Sequence, residues 1–333
     1  MSLTLEQPIK LTGAAYQPIN YYAVPDTTTG RTNYTVKFNV IVDSAIIATY
    51  KATLNSDSKF KVDVSKALQT VLSDDIPTGT ETAIISALNS IVSYTVTAFE
   101  YWDVDGILTL QSGSVTSDEH WAIPAAYIPT NSNEFLTDIT YIYKNGYMYL
   151  GFLTDETMGI YAKINGATTI PLGSGETINK LALIPINSTN MGGNTILSVV
   201  VYDSEDNAIS ETYIIDVYSV CYSDPTTVLF RNKYGVMESY TFVNKARELK
   251  ATREAALYGN DWSNHGVNID KMVVLYGKYE SDSTRLWLAQ LFKSRVTCVD
   301  GEVIRVDSDN YFDIDADLWK PIIEIQEADD YLN

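Results

Sequence analysis

The sequence predicts a mainly β protein, with tandem β-sandwich domains of the immunoglobulin or fibronectin kind and a C-terminal α+β domain. Three observations favour this fold class. The chain of 333 residues contains 24 tyrosines and is also rich in Thr, Val and Ile, residue types that are enriched in strands. Apolar and polar residues alternate over many short segments, as they do in strands with one buried face. Turn dipeptides containing Gly or Asn separate these segments at short intervals.

The first predicted domain is residues 1–118, a sandwich-like β domain with short helical insertions. TNYTVKFNVIVD (32–43) alternates strictly, and IIATYKATL (46–54) follows after a short turn, so the two segments predict a hairpin. A longer hairpin is predicted for residues 93–116, because Asp105-Gly106 favours the tight turns that join antiparallel strands. The side chains predicted to face one way in the first strand are Tyr34, Val36, Phe38, Val40 and Val42.

Two short helices and a linker are also predicted in this half of the chain. KFKVDVSKALQTVLS (59–73) changes from a strand to a helix, with Asp63 or Ser65 as the capping residue. ETAIISALNSI (81–91) predicts a second short helix. Residues 119–135 contain two prolines and a polar TNSN cluster, which indicate a linker.

The second predicted domain, residues 136–222, is an immunoglobulin-like sandwich. TYIYKNGYMYLGFL (140–153) predicts a hairpin around Asn145-Gly146. Further apolar segments follow at the short spacing that is typical of sandwiches. These predicted strands are 158–164, 180–186, 195–203 and 210–220.

The third predicted domain, residues 223–333, is α+β. VLFRNKYGVMESYTF (228–242) predicts a hairpin that reverses near Gly235. NKARELKATREAALYG (244–259) is rich in helix formers and ends in Gly, so it predicts a helix. STRLWLAQLFKS (283–294) predicts an amphipathic helix that packs Leu286, Leu288, Leu291 and Phe292, with Trp287 at its edge. Strands are predicted at 270–279 and in the segments VTCVD, EVIRVD and IIEIQE.

Composition and charge disfavour several function classes. The formal net charge is −19, which repels nucleic-acid phosphates, so no nucleic-acid partner is expected. Cys221 and Cys298 are the two cysteines, too few for a disulfide framework, and both are expected to be reduced. The N-terminus lacks the charged and apolar regions of a signal peptide, and no apolar run reaches the ~18 residues of a membrane span. We therefore expect a soluble protein made in a cytoplasm.

Motifs for catalysis are not apparent, and we expect no enzyme activity and no cofactor. His120 and His265 are the two histidines, and neither lies near a nucleophile-elbow pattern. Phosphate-binding and dinucleotide-binding fingerprints and the CxxC motif are also missing. Paired carboxylates for glycoside hydrolysis could be chosen from 42 acidic residues only arbitrarily.

DIDADLWKPIIE (313–324) partly matches the calcium-binding loop of EF-hands. Asp313, Asp315, Asp317 and Glu324 have the ligand spacing, but Leu318 stands where a Gly is required. The alternative interpretation is an edge strand with its aspartates in water, and no metal site is assigned. Weak calcium binding by a wider acidic group remains open, with Asp307, Asp309, Asp313 and Asp315 as its members.

A basic cluster lies on the predicted helix 244–259 of this acidic chain. One interpretation is a solvated helix face in which Glu248 and Glu254 pair with the basic residues. The other is a docking surface for an acidic neighbour, such as another copy of the chain, which would close into a ring. The residues predicted to contact a partner are Lys245, Arg247, Lys250 and Arg253, together with Phe230 and Tyr240 of the preceding hairpin.

The C-terminal third resembles structural proteins of phages that infect Bacteroidetes, including crAss-like phages. A "[LF]-x-N-x-x-G-x-x-[ED]-x-[FY]-x-F" strand turn recurs in those proteins, and the hairpin 228–242 matches it. The N-terminal hairpin followed by KFKVDVSKAL is also similar to their opening module, so the resemblance covers about residues 30–75 and 200–333. The matching residues of the strand turn are Phe230, Asn232, Gly235, Glu238, Tyr240 and Phe242.

This resemblance implies a virion component of the tail, neck or baseplate region, present in several copies as a ring or hub. Its partners would be copies of itself and other tail or neck proteins. The alternative is a carbohydrate-binding or receptor-binding module that uses Trp102, Trp121 or Trp262 as a stacking platform. A hydrolase on a β scaffold is a third hypothesis, for which the sequence offers no nucleophile and base.

Overall fold

The computed structural model describes residues 3–9, 12–87, 89–129, 133–173, 178–189, 195–219, 225–258, 261–299, 301–304, 306, 312–315 and 318–326. The chain is mainly β, as predicted, and its strands form several separate sheets. The strands are β1 (Thr4–Glu6), β2 (Thr12–Ala14), β3 (Asn20–Val24), β4 (Thr35–Val42), β5 (Ala45–Thr53), β6 (Phe60–Asp63), β7 (Ile85–Ser86), β8 (Val92–Val104), β9 (Ile107–Thr116), β10 (His120–Ile123), β11 (Glu134–Phe135), β12 (Tyr141–Tyr143), β13 (Tyr147–Met158), β14 (Ile160–Ile164), β15 (Thr168–Ile170), β16 (Ile178–Asn187), β17 (Thr195–Asp203), β18 (Tyr213–Tyr218), β19 (Thr226–Arg231), β20 (Met237–Phe242), β21 (Asn244–Tyr258), β22 (Asp261–Tyr276), β23 (Thr297–Val299), β24 (Glu302–Val303), β25 (Phe312–Asp315) and β26 (Leu318–Gln326). The helices are α1 (Ser65–Gln69) and α2 (Asp282–Lys293).

The N-terminal part contains a three-stranded sheet, in the order β1-β3-β6, and a six-stranded sheet. In the larger sheet the order is β2-β10-β8-β4-β5, and β9 pairs with β8. The predicted hairpins β4–β5 and β8–β9 are confirmed. Asp105 and Gly106 have φ values of 53° and 81°, as a primed turn requires. The core between the sheets includes Val36, Phe38, Val40, Tyr21 and Phe60.

Two segments of this part differ from their predictions. The predicted helix 81–91 is wrong, because Ile85–Ser86 pairs with β16 of the neighbouring unit. The predicted linker begins with β10, which lies between β2 and β8 in the six-stranded sheet. The short helix after residue 63 is confirmed as α1, but its N-cap is Val64 and neither Asp63 nor Ser65, so the predicted cap is wrong. An Asp63 carboxylate oxygen accepts the backbone N–H of Ser65 at 3.0 Å beside this position. Period-two alternation is too short in both missed strands to be recognised.

Residues 136–222 contribute two facing sheets around a common core. One has the order β11-β13-β16-β7, and the other has the order β12-β18-β17-β14-β15. Asn145-Gly146 forms a turn, as predicted, but the predicted hairpin is wrong. The strand before the turn pairs with β18 and the strand after it pairs with β16, so the chain crosses here from one sheet to the other.

The C-terminal part shares its core with the preceding unit. Hairpin β19–β20 is confirmed, and its Phe230, Tyr240 and Phe242 lie in the same apolar cluster as Ile142 and Leu150. Helix α2 is also confirmed, with Leu288 and Leu291 buried. Two details of the helix are reversed, however. Leu286 is 64% exposed, whereas Trp287 is only 8% exposed.

The predicted helix 244–259 is wrong. Asn244–Tyr258 is strand β21, paired antiparallel with β22 in the four-stranded sheet β21-β22-β26-β25. The pairing starts at Asn244 and Tyr276, where β22 is also bonded to β26. A continuous backbone ladder with an already paired strand thus prevails over local helix propensity. Within the residues the structure describes, no helix is long and apolar enough to cross a membrane.

Gly235 connects the C-terminal hairpin with the segment after β10. Its φ is 82°, and a Cβ built there would lie 2.9 Å from the carbonyl carbon and oxygen of Pro124. Gly106 has nearly the same φ, 81°, but nothing lies within 4 Å of its Cβ position. The two glycines therefore share a left-handed backbone and differ in the space around them.

We expect Gly235→Ala to lower the free energy of unfolding more than Gly106→Ala. Both substitutions cost about 1–2 kcal/mol for the left-handed backbone, and at Gly235 the clash adds about 1–3 kcal/mol. Urea unfolding followed by tryptophan fluorescence measures both values. Equal losses in the two variants would contradict the close approach to Pro124.

Candidate functional site

The turn between β19 and β20 is organised by Asn232. Its Oδ1 accepts the backbone N–H groups of Tyr234 at 2.9 Å and Val236 at 3.2 Å. Its Nδ2 donates to the Leu136 carbonyl at 2.7 Å and to Glu238 Oε1 at 2.9 Å. The side chain thus fixes the turn and also bonds it to the start of the sandwich unit. A hydrophobic residue of similar size would leave these buried partners unsatisfied.

Glu238 is fully buried beside this turn. Its carboxylate accepts hydrogen bonds from the Asp138 backbone N–H at 2.7 Å, from Asn232, and from the Trp287 indole N–H. Burial raises the pKa of Glu238 to about 7, although these hydrogen bonds favour the ionised form. The carboxylate has no exposed surface for a substrate, so its role is to join β20, α2 and the segment before β12. The motif spacing in the sequence placed Asn232 and Glu238 together but gave no indication of Trp287.

The Asp138 side chain extends this polar cluster to Lys233 and Gln290. Its carboxylate lies 2.7 Å from Lys233 Nζ and accepts a hydrogen bond of 3.0 Å from the Gln290 amide. The negative charge of Asp138 also contributes to the raised pKa of Glu238. Asp138 thus places a second carboxylate near Glu238, and the Lys233 ammonium pairs with it.

A second buried carboxylate, Glu280, lies at the other end of the hairpin. It accepts the hydroxyl groups of Tyr143 and Tyr240, each at 3.0 Å. Burial raises its pKa, and the positive charge of Lys278 opposes that shift. The Lys278 ammonium itself lies 4.7 Å from the ring centre of Tyr143 and 5.0 Å from that of Tyr218. This cluster joins the hairpin to the five-stranded sheet.

The hairpin also contacts the N-terminal part through an ion pair. Arg231 Nη1 lies 2.5 Å from Asp74 Oδ1, and both side chains are largely buried, with 7% and 17% exposed. The Arg231 guanidinium also lies 5.3 Å from the ring centre of Tyr16. Nearby, the Lys233 carbonyl accepts the backbone N–H of Ala126 at 2.8 Å. Hairpin β19–β20 is thus bonded to the N-terminal part, to the sandwich unit and to α2.

The histidine and cysteine side chains that the structure describes, those of His120 and Cys298, are both buried. His120 is 1% exposed, its Nδ1 lies 2.9 Å from the Asp118 carbonyl, and its Nε2 lies 3.2 Å from the Pro8 carbonyl. Cys298 is buried, and burial raises the pKa of its thiol to about 11, which disfavours the reactive thiolate. Cys221 and the side chain of His265 lie outside the described residues.

The segment that partly matches a calcium loop forms a strand pair. Asp313 and Asp315 lie on β25, which pairs with β26, and Glu324 lies on β26. Asp313 and Asp315 thus lie on a strand at the edge of the sheet, as in the alternative interpretation, and not in an EF-hand loop. Asp307, Asp309 and Asp317 lie outside the described residues. In the part of the chain that is described, no three His, Cys, Asp or Glu side chains form a metal-binding group.

The residues predicted to contact a partner are not one surface. Phe230 and Tyr240 are 0% and 1% exposed, so their assignment as contacts is corrected: every residue of β20 is buried, on both faces of the strand. Lys245 and Arg247 lie on β21, half-buried and exposed respectively, and not on a helix. The backbone register sets Lys250 opposite Asp270 and Arg253 opposite Val267, and the side chains of Lys250 and Arg253 lie outside the described part.

The tryptophans proposed for sugar stacking are engaged in the fold where they are described. The Arg31 guanidinium lies 4.4 Å from the ring centre of Trp102, and Tyr34 packs edge-on against the same ring. Trp121 is part of β10 and lies 5.8 Å from Lys180 Nζ. The side chain of Trp262 lies outside the described residues.

The long hairpin β21–β22 extends beyond the sheet to which it belongs. Among the described residues, β26 pairs with β22 from Met272 to Tyr276. Beyond that point ten residue pairs, from Leu249–Lys271 to Tyr258–Asp261, are bonded only to each other among the described strands. We call residues 249–271 the arm. At ~3.3 Å per residue its ten pairs extend about 33 Å.

We expect the pH dependence of unfolding to identify Glu238. Because its folded pKa is raised from 4.5 to about 7, the unfolded state ionises first as pH rises. Its contribution to stability is thus greatest below pH 4.5 and is lost up to pH 7. The difference in free energy of unfolding, wild type minus Glu238→Gln, should fall by roughly 2–3 kcal/mol between about pH 5 and pH 8.

Glu81→Gln is the matched control for that measurement. Burial acts to raise the pKa of Glu81, but hydrogen bonds from Tyr149 and Thr78 lower it overall. The contribution of Glu81 to the free energy of unfolding therefore changes with pH only at and below about pH 4.5. The difference in free energy of unfolding, wild type minus Glu81→Gln, should stay constant between about pH 5 and pH 8. A flat difference for Glu238→Gln as well, in urea titrations at each pH, would contradict the assignment.

Comparison with protein-family models finds no match for the chain, and comparison with curated proteins finds none either. Its function is therefore inferred from its own residues and contacts.

Proposed function

We propose that the chain is a structural protein of a phage virion, present in several copies as a ring or hub of the tail, neck or baseplate region. The observation that carries the proposal is the arm. An isolated two-stranded hairpin is at best marginally stable in water, and a hairpin about 33 Å long would gain from packing on a neighbour. The sequence resemblance to virion proteins of crAss-like phages supports the same function.

The edges of the sheets favour assembly as well. β5 and β9 are edge strands of nine and ten residues, and most of their described residues are exposed or half-buried. β5 contains Lys51 as its one charged residue and no proline, so little protects it from pairing with another chain. By contrast, β17 and β18 lie inside the five-stranded sheet in the part that is described, so they are not available as edges.

The strand order supports an immunoglobulin-like assignment for residues 136–222. Its first short strands divide between the two sheets, and β12 lies parallel to the last strand, β18. The antiparallel order β18-β17-β14-β15 then resembles the sheet of a variable-type domain, facing β11-β13-β16. Such domains commonly serve as rigid adhesion or assembly modules, so the fold is compatible with the proposed function without requiring it.

The buried polar clusters suit a mechanical component. Glu238, Glu280 and the ion pair of Arg231 with Asp74 bond the hairpin β19–β20 to the surrounding sheets. Such networks fix the relative positions of their elements when every member is satisfied. A subunit of a ring needs this property, because closure requires the same angle at each contact.

We expect the purified chain to form discrete oligomers. Its subunit mass is 37.0 kDa, so mass photometry should give multiples of that value, and negative-stain images should show closed rings. Standard-size interfaces reach micromolar affinity or better, so assembly should appear below about 100 μM. A monomer at every concentration up to that value would contradict the proposal.

A further inference from the structure

The outer face of the five-stranded sheet is rich in apolar residues: on β14, β17 and β18 its polar members are Lys163, Ser198 and Asp216. On β17 and β18 the alternating residues Leu197, Val199 and Ile215 point into the core, so the residues between them face outward. Among those outward residues Ile196 is 64% exposed and Ile214 is 47% exposed. An antiparallel sheet with one solvated face normally carries polar residues there.

Aromatic residues extend this surface across neighbouring strands. Tyr161 of β14 lies opposite Tyr202 of β17, with ring centres 5.4 Å apart and planes at 9°. Tyr218 of β18 is 39% exposed. A contiguous exposed apolar area marks an interaction surface more often than scattered single residues do. We call this surface the tyrosine face, and its members are Tyr161, Ile196, Val200, Tyr202, Ile214 and Tyr218.

Acidic residues border the tyrosine face. Glu205, Asp206 and Glu211 are exposed in the turn that joins β17 to β18, and Asp216 lies on the face opposite Ile196. Lys163 Nζ is 3.5 Å from Asp206 but is held over the rings of Tyr161 and Tyr202. A partner for this face should therefore carry little negative charge.

The long hairpin is the part of the chain with that property. Residues 244–271 contain five basic and four acidic side chains, a formal charge of +1. Since the whole chain carries −19, the remainder carries −20. Two acidic copies would repel each other through most of their surfaces and least where the hairpin of one meets the body of the other.

We propose that the tyrosine face binds the arm of a second copy of this chain. The proposal rests on the proposed function and specifies its subunit contact. The arm of one copy lies across β14, β17 and β18 of the next, where its balanced charge avoids repulsion by the acidic border. Ile196, Ile214 and Tyr218 of the tyrosine face are exposed with the arm of its own chain in place, so in this proposal the arm that covers them comes from a neighbour.

This contact is heterologous, since the arm and the tyrosine face are different surfaces of the same chain. Each copy then offers one donor and one acceptor. Repetition of such a contact gives a closed ring when the rotation closes and a filament when it does not. A single arm-to-face contact, in contrast, joins only two copies.

Two variants separate the halves of the contact. In the arm-deleted variant, an Asn-Gly turn replaces residues 249–271 and joins Glu248 to Met272, which are register partners, so the shortened hairpin keeps its pairing with β26. In the face variant, Ile196→Lys and Ile214→Lys place two charges on the tyrosine face. Leu286→Lys is the control, because Leu286 is 64% exposed on α2, as exposed as Ile196, and lies on neither half of the contact.

Native mass spectrometry and mass photometry measure the outcome. We expect wild type and Leu286→Lys to assemble, and the arm-deleted and face variants each to be monomers with unchanged circular dichroism and melting temperature. An equimolar mixture of the two variants should give one-to-one heterodimers and nothing larger, because the mixture contains one intact arm and one intact face.

The results distinguish this inference from the proposed function. If wild type assembles and either variant assembles equally well, the arm-to-face contact is overturned and the assembly function stands. The same conclusion follows if the mixture gives no heterodimer. If wild type itself remains a monomer, the assembly function is overturned together with the contact.

Discussion

The structure depends on one buried carboxylate. Glu238 lies where three parts of the chain meet, and each part contributes one N–H group: the turn through Asn232, the segment before β12 through Asp138, and α2 through Trp287. An ion or acid without partners at this depth would cost several kcal/mol, so the three donors have to arrive together. These shared hydrogen bonds fix the positions of the hairpin, the sandwich and the helix relative to one another. The pKa of Glu238 is raised because desolvation outweighs the hydrogen bonds that favour the ionised form.

The hairpin that holds Glu238 was predictable from sequence because its signals are local. Period-two alternation and Gly235 indicate two strands and a turn, and the structure confirms both strands. Its surroundings were not predictable, since alternation normally implies one buried and one solvated face. Both faces of β20 are buried here, as in strands covered by other elements on each side. Phe230 and Tyr240 were therefore expected at a surface, and only the tertiary structure places them in the core.

The opposite error occurred at residues 244–258, where local signals favour a helix and the chain forms a strand. Ala, Glu, Lys, Arg and Leu dominate this segment, and the strand state comes from pairing with β22. Natural sequences usually agree with their fold at each level, and conflicts concentrate at functional sites. Here the conflict between helix propensity and strand structure lies in the segment that extends beyond its sheet. The residues of this segment do not favour a strand by themselves. In the proposed assembly, contacts with a partner would therefore add to the stability of the strand.

Charge explains why the contact would be made by an extended element. Bodies that carry −20 each repel when their surfaces meet, and at physiological salt this repulsion decays over a Debye length of about 8 Å. A hairpin of about 33 Å spans several such lengths. In the proposed contact it would bind a neighbour while most of the acidic surface of the two bodies remains screened. A compact, uniformly acidic subunit would have to bring its repelling surfaces into direct contact. In the proposed assembly, a contact through the near-neutral arm therefore involves the least electrostatic repulsion between copies.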